Sequence, residues 1–144
     1  MNSAERARIA MGYIEYTEVL SRHGADDSPI PEELESAYSS VRDLVRDGPS
    51  NVAWELVLEV LRRAPDEDLD KFAAGPLEDL VRKWGGELVD LIEDEASRDE
   101  RFRAALGYIW LLVGDVPANV LARFVQASGG RIQPLDDHGL LRHL

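Results

Sequence analysis

The chain contains no cysteine in its 144 residues, which excludes disulfides, thiolate nucleophiles and cysteine-ligated zinc together. Histidine is scarce: His23 lies in a turn-rich break, and His138 and His143 lie in the tail, five residues apart and off a common helical face. There is no Gly-x-Ser-x-Gly, no phosphate-cradling loop and no Gly-rich dinucleotide turn. No apolar run approaches the ~18–20 residues that span a bilayer. The opening residues, MNSAERARIAM, lack the continuous apolar core of a secretory signal. Strand-like alternation of apolar and polar residues is missing as well. These absences point away from an enzyme: no catalytic residue, no metal site and no cofactor is expected, and the expected setting is the cytoplasm.

What is present is helical periodicity. The organising stretch is Gly75–Trp110, GPLEDLVRKWGGELVDLIEDEASRDERFRAALGYIW. Gly75-Pro76 reads as a helix opening, because proline is tolerated in a first turn. Leu77, Leu80, Val81 and Trp84 follow at i, i+3, i+4 and i+7, and Gly85-Gly86 reads as the stop. A second helix carries Leu88, Leu91 and Ile92, and a third, capped by Ser97 or Asp99, carries Phe102, Leu106, Ile109, Trp110 and Val113. Upstream, residues 3–22 read as a helix with Ala10 and Ile14 on its apolar stripe. Pro31–Arg46 follows with Leu34, Ala37, Val41 and Val45, then a helix to Ala64 that carries Trp54. A short helix bears Leu69 and Phe72, and a last one, capped by Asp115, carries Val120, Leu121 and Phe124. The fold class is therefore all-α: about seven helices in antiparallel hairpins, stacked as a short superhelix or an irregular bundle. The expected organisation is one domain over 1–144, with an N-terminal helix at 3–22, a helical body at 31–128 and a tail at 129–144. Trp54, Trp84 and Trp110 all fall at core phases, with Trp84 placed to become an interface residue if exposed.

Charge is the other strong feature. The formal net charge is −12. Residues 66–100 hold 13 Asp and Glu against 4 Lys and Arg, a net of −9, while the remainder carries −3 from 15 acidic and 12 basic residues. Such a field repels nucleic-acid backbones and anionic membranes and attracts basic proteins or cations. Glu87, Asp90 and Asp94 stand at i, i+3 and i+7, so they share a helix face, and Glu78 and Asp79 begin the preceding helix. Part of this placement is explained without function, since a helix N-terminus favours negative charge.

The sequence also resembles a known group. Trp54 in a helix, an Ala-Pro-Asp stop, AAGPLEDLVRKWG, the acidic EDEAS and RDERFRAALGYIW together look like a family of short bacterial proteins known only as a domain of unknown function. The resemblance covers roughly residues 50–113, with Gly75, Pro76, Leu77, Glu78 and Asp79 matching its most specific block. It implies a small all-helical domain and carries no activity, cofactor or site with it.

Two functional readings follow. The leading one is a non-enzymatic interaction module binding a basic protein through residues 78–100, with Glu78, Asp79, Trp84, Glu87, Asp90 and Asp94 as contact residues. An immunity- or antitoxin-like inhibitor is one form of it. The alternative is a carboxylate-based divalent-metal or hydrolytic domain using Glu78, Glu87, Asp90 and Asp94.

Overall fold

The periodic apolar stretches fold as helices in the computed structural model, which describes residues 1–22, 29–132 and 134. His23, His138 and His143, the segment 23–28 and the tail beyond Pro134 lie outside the described residues. Among the described residues the chain is all-α, with no strand. They group into two compact units, residues 1–65 and 66–144.

In the first unit, α1 (Ser3–Arg22), α2 (Glu32–Asp47) and α3 (Ser50–Arg63) each pack on the other two. Asn2 caps α1, its Oδ1 accepting the Glu5 N–H at 2.8 Å. The stripes interdigitate: Ile9, Ala10, Tyr13 and Ile14 of α1 and Leu34, Ala37, Val41 and Val45 of α2 are buried. From α3, Trp54, Leu56, Val57, Val60 and Leu61 are buried too, the broad apolar sector of a helix covered on several sides. α1 and α2 come together closely at Gly12, where an added Cβ would stand 2.7 Å from the Ala37 Cβ. Above it, the Tyr38 ring stacks on Tyr13 and Tyr16 with centroids 5.4 and 4.5 Å away. Arg6 ties α1 to α3 through Glu55 at 3.1 Å and Glu59 at 3.5 Å.

The second unit begins with a 3-10 turn at Asp66–Asp68, a single α turn, α4 (Leu69–Phe72), and a π turn at Ala73–Leu77. These run without a gap into α5 (Glu78–Arg98). Pro76 therefore sits inside a helical run instead of opening one. It has no N–H to give, and the wider turn absorbs that loss, with the Glu78 N–H reaching the Ala73 carbonyl. Leu69 and Phe72 point inward as the pattern requires. After α5, Asp99 caps α6 (Glu100–Leu106), its Oδ1 accepting the N–H groups of Arg101 at 2.9 Å and Phe102 at 3.3 Å. The last helix among the described residues is α7 (Ala118–Ala127); Pro117 precedes it and no side chain caps it.

The sequence pattern departs from the structure most at Gly85-Gly86. These residues do not stop a helix; α5 runs through both, and neither has a positive φ. Gly85 is there for room. A Cβ at that position would lie 3.0 Å from the Phe124 ring and 3.1 Å from Val116 Cγ1, so its absence lets α7 close on α5. Gly86 faces open space. The other departure is after Leu106, where α6 ends and residues 109–112 leave the helix, so Trp110 and Val113 belong to no helix.

The two glycines make opposite predictions. Gly86→Ala should raise stability by about 0.5–1 kcal/mol in urea denaturation, because a mid-helix glycine is replaced with nothing to collide with. Gly85→Val should lower it by about 1–3 kcal/mol by driving Phe124 and Val116 apart. Loss of stability in Gly86→Ala would instead mean a left-handed stop at that position.

Candidate functional site

α5 carries all six residues singled out from the sequence, and it divides them. At about 100° per residue, Glu87, Asp90 and Asp94 fall within a ~60° sector of the helix, all exposed, with Trp84 half-buried at its edge. Leu91, 46% exposed, stands in the same band. Lys83 lies over the Trp84 ring, its Nζ 5.5 Å from the centroid. Asp79 is exposed in the first turn, though neighbouring protein desolvates its carboxyl and pushes its pKa up against the pull of Arg82.

Glu78 is turned the other way. It is 9% exposed, and its Oε1 accepts the Trp110 backbone N–H at 2.5 Å. Its second oxygen meets Arg82 Nη1 at 3.3 Å. Arg82 then reaches across the gap after α6: Nη2 donates to the Trp110 carbonyl at 3.0 Å and Nε to Asp115 Oδ2 at 3.3 Å. Asp115 accepts the Leu112 N–H at 2.7 Å, which explains why it does not cap α7. Three side chains thus hold both ends of the 110–115 segment. Burial pushes the Glu78 carboxyl above its ordinary value of 4.5, opposed by the Trp110 N–H and by Arg82, and assisted by Asp79 and Asp115.

Asp90, Glu93, Asp94 and Glu95 of α5 are drawn into ion pairs. Arg123 of α7 spans Asp90, at 2.5 Å, and Glu93, which receives both Nε and Nη2. That pairing raises the Arg123 guanidinium and lowers the Glu93 carboxyl. Arg98 pairs with Asp94 and with buried Glu95, each at 3.1 Å. Among the described residues no three acidic or imidazole side chains converge so as to hold a metal ion. The four carboxylates of the alternative reading are split between opposite sides of α5, Glu78 inward and the other three outward.

Sequence reasoning missed Arg82, Asp115, Arg123 and, above all, Trp110, which it placed in the core and which is 60% exposed. In Tyr108–Leu112 the buried residues are Ile109 and Leu111 and the exposed ones Tyr108, Trp110 and Leu112, a period of two rather than 3.6. The run is short and apolar at every position, so periodicity could not separate the two readings.

The fold and these contacts define an all-α protein with a fixed, solvent-facing apolar segment beside an acidic helix. A family model matches residues 26–131, and the chain belongs to that family, a family of unknown function (DUF6869). The match contains the 50–113 stretch and extends beyond it on both sides, through α2 and α7. No curated protein and no solved structure matches the chain. No helix among the described residues is long and apolar enough to cross a membrane.

The buried carboxylate fixes the sign of one pH effect. Folding raises the Glu78 pKa, so its contribution to stability is complete below pH 4.5 and is lost as the pH rises through the raised value. Glu78→Gln keeps an oxygen for the Trp110 N–H and does not ionise. The melting temperature of the variant relative to the parent should therefore climb as the pH is taken upward from 4.5, and a flat difference would contradict the burial effect. Independently, Arg82→Met should speed hydrogen exchange at the Trp110 and Leu112 amides about tenfold, the loss of about 1–1.5 kcal/mol from the segment.

Proposed function

We propose that the chain is a non-enzymatic protein-interaction module that offers the exposed side of α5 to a basic partner. The observation that carries this reading is the unbroken course of α5 through Gly85-Gly86. It aligns Trp84, Glu87, Asp90, Leu91 and Asp94 on one side of a single rigid element, where a stop would have split them between two helices. Exposed carboxylates with apolar side chains between them suit recognition of a protein surface: charge accelerates and orients the encounter, and apolar burial holds the complex. The net charge of −12 turns the same surface away from nucleic acids and anionic membranes. An inhibitor of a basic toxin, immunity- or antitoxin-like, is the form of partner protein that such charge complementarity suits.

The test is capture of proteins from the source cells on the immobilised chain at about 50 mM and about 500 mM salt, a range across which screening of exposed charges becomes severe. Basic proteins should be retained at low salt, released at high salt, and absent from a Glu87→Gln, Asp90→Asn, Asp94→Asn variant. A capture profile that is the same at both salt concentrations would overturn the reading.

A further inference from the structure

Four large apolar side chains in the segment that follows α6 face solvent: Tyr108, Trp110, Leu112 and Val113, the last three exposed by 60%, 39% and 42%. Most monomers leave such groups scattered; here four fall within a stretch of six residues. The segment is also rooted. Ile109 and Leu111 alternate with them and are buried, and the backbone is gripped at the Trp110 N–H, the Trp110 carbonyl and the Leu112 N–H by Glu78, Arg82 and Asp115. Glu78 gives up most of its hydration to make that grip.

We propose that Trp110, with Leu112 and Val113, is the apolar anchor by which the chain docks a basic protein partner. This rests on the reading of the chain as an interaction module and adds the residue on which the complex turns. Charge selects the occupant. A second copy of the chain would bring a net charge of −12 against −12, and an anionic membrane is repelled by the same field. The carboxylates that hold the segment are Glu78 and Asp115, with the guanidinium of Arg82 engaged between them, and exposed Asp79 follows Glu78 in the first turn of α5. A partner with an apolar pocket rimmed by Lys and Arg meets both requirements: the pocket takes the indole, and the rim cations lie over its face and beside the carboxylates. The fixed backbone adds affinity, since little of the segment remains to be ordered on binding.

The experiment is selection of a random peptide library on the purified chain, followed by affinity measurements of the selected peptides against the parent, Trp110→Ala and Leu112→Ser. The selected peptides should be rich in Lys and Arg interspersed with apolar residues. Trp110→Ala should weaken them by about tenfold or more with an unchanged melting temperature, and Leu112→Ser should weaken them less. Cationic peptides that bind Trp110→Ala as tightly as the parent would overturn the anchor while leaving the acidic surface as a binding face. Selection of no binders, or of binders without cationic bias, would overturn both. A dimer seen in sedimentation of the parent and abolished by Trp110→Ala would also overturn the proposal, making the occupant a second copy.

Discussion

The contact on which the second unit depends is the one made possible by what Gly85 lacks. With no Cβ at that position, the Phe124 ring and Val116 come against the backbone of α5, and Phe124 is wholly buried there. Packing at this density leaves no slack for an extra methyl group. The rest follows from it. Because α5 continues past the glycine, Leu80 and Val81 before it and Leu88, Val89 and Ile92 after it belong to one core. Arg123, just past the middle of α7, then lies within reach of Asp90 and Glu93 about one to two turns down α5. The polar contacts sit where the apolar ones put them.

That order of cause matters for the acidic character of the chain. The excess of carboxylates in residues 66–100 looks uniform in the sequence, yet the structure sorts it. Glu78 and Glu95 are buried against arginines, Asp90 and Glu93 are held by Arg123, and Glu87 stands in the outward sector. Exposed ion pairs are worth only about 0–1 kcal/mol each, so the bridges of Asp90 and Asp94 do not hold the fold. Their effect is on the direction of the field: they tether side chains that would otherwise move independently, and they fix which part of α5 presents negative charge to a visitor.

The sequence made the helices legible because their apolar residues recur with one period over three or more turns. Leu34, Ala37, Val41 and Val45 are buried as that pattern requires, and so are Phe72 and Phe102. Asp99 caps the helix it was expected to cap. The failures share a cause: a residue type with two physical uses. Glycine both permits a left-handed stop and lets elements touch, and at Gly85 the second use prevails through Phe124, which is 39 positions away and invisible to local reading. Asp115 is as good an acceptor for the Leu112 N–H as for a helix N-terminus. Trp110 is apolar enough for a core, but the backbone hydrogen bonds around it come from Glu78 and Arg82, far away in sequence, and they turn it outward.

Holding an indole in water requires a force from elsewhere in the molecule, because the hydrophobic effect acts to bury it. Here the force is polar. The inward pair Ile109 and Leu111 supplies the apolar gain of the segment, and the backbone grip holds Trp110 between them on the outward side. The same grip bears on what covering the indole would cost. A partner that excludes water from Trp110 also excludes it from Glu78, Arg82 and Asp115, and an unpaired polar group in that position would forfeit much of the affinity. These groups already satisfy one another and the backbone between them. The apolar surface can therefore be desolvated without stranding the charges beneath it, which is the condition under which an exposed tryptophan becomes useful for binding.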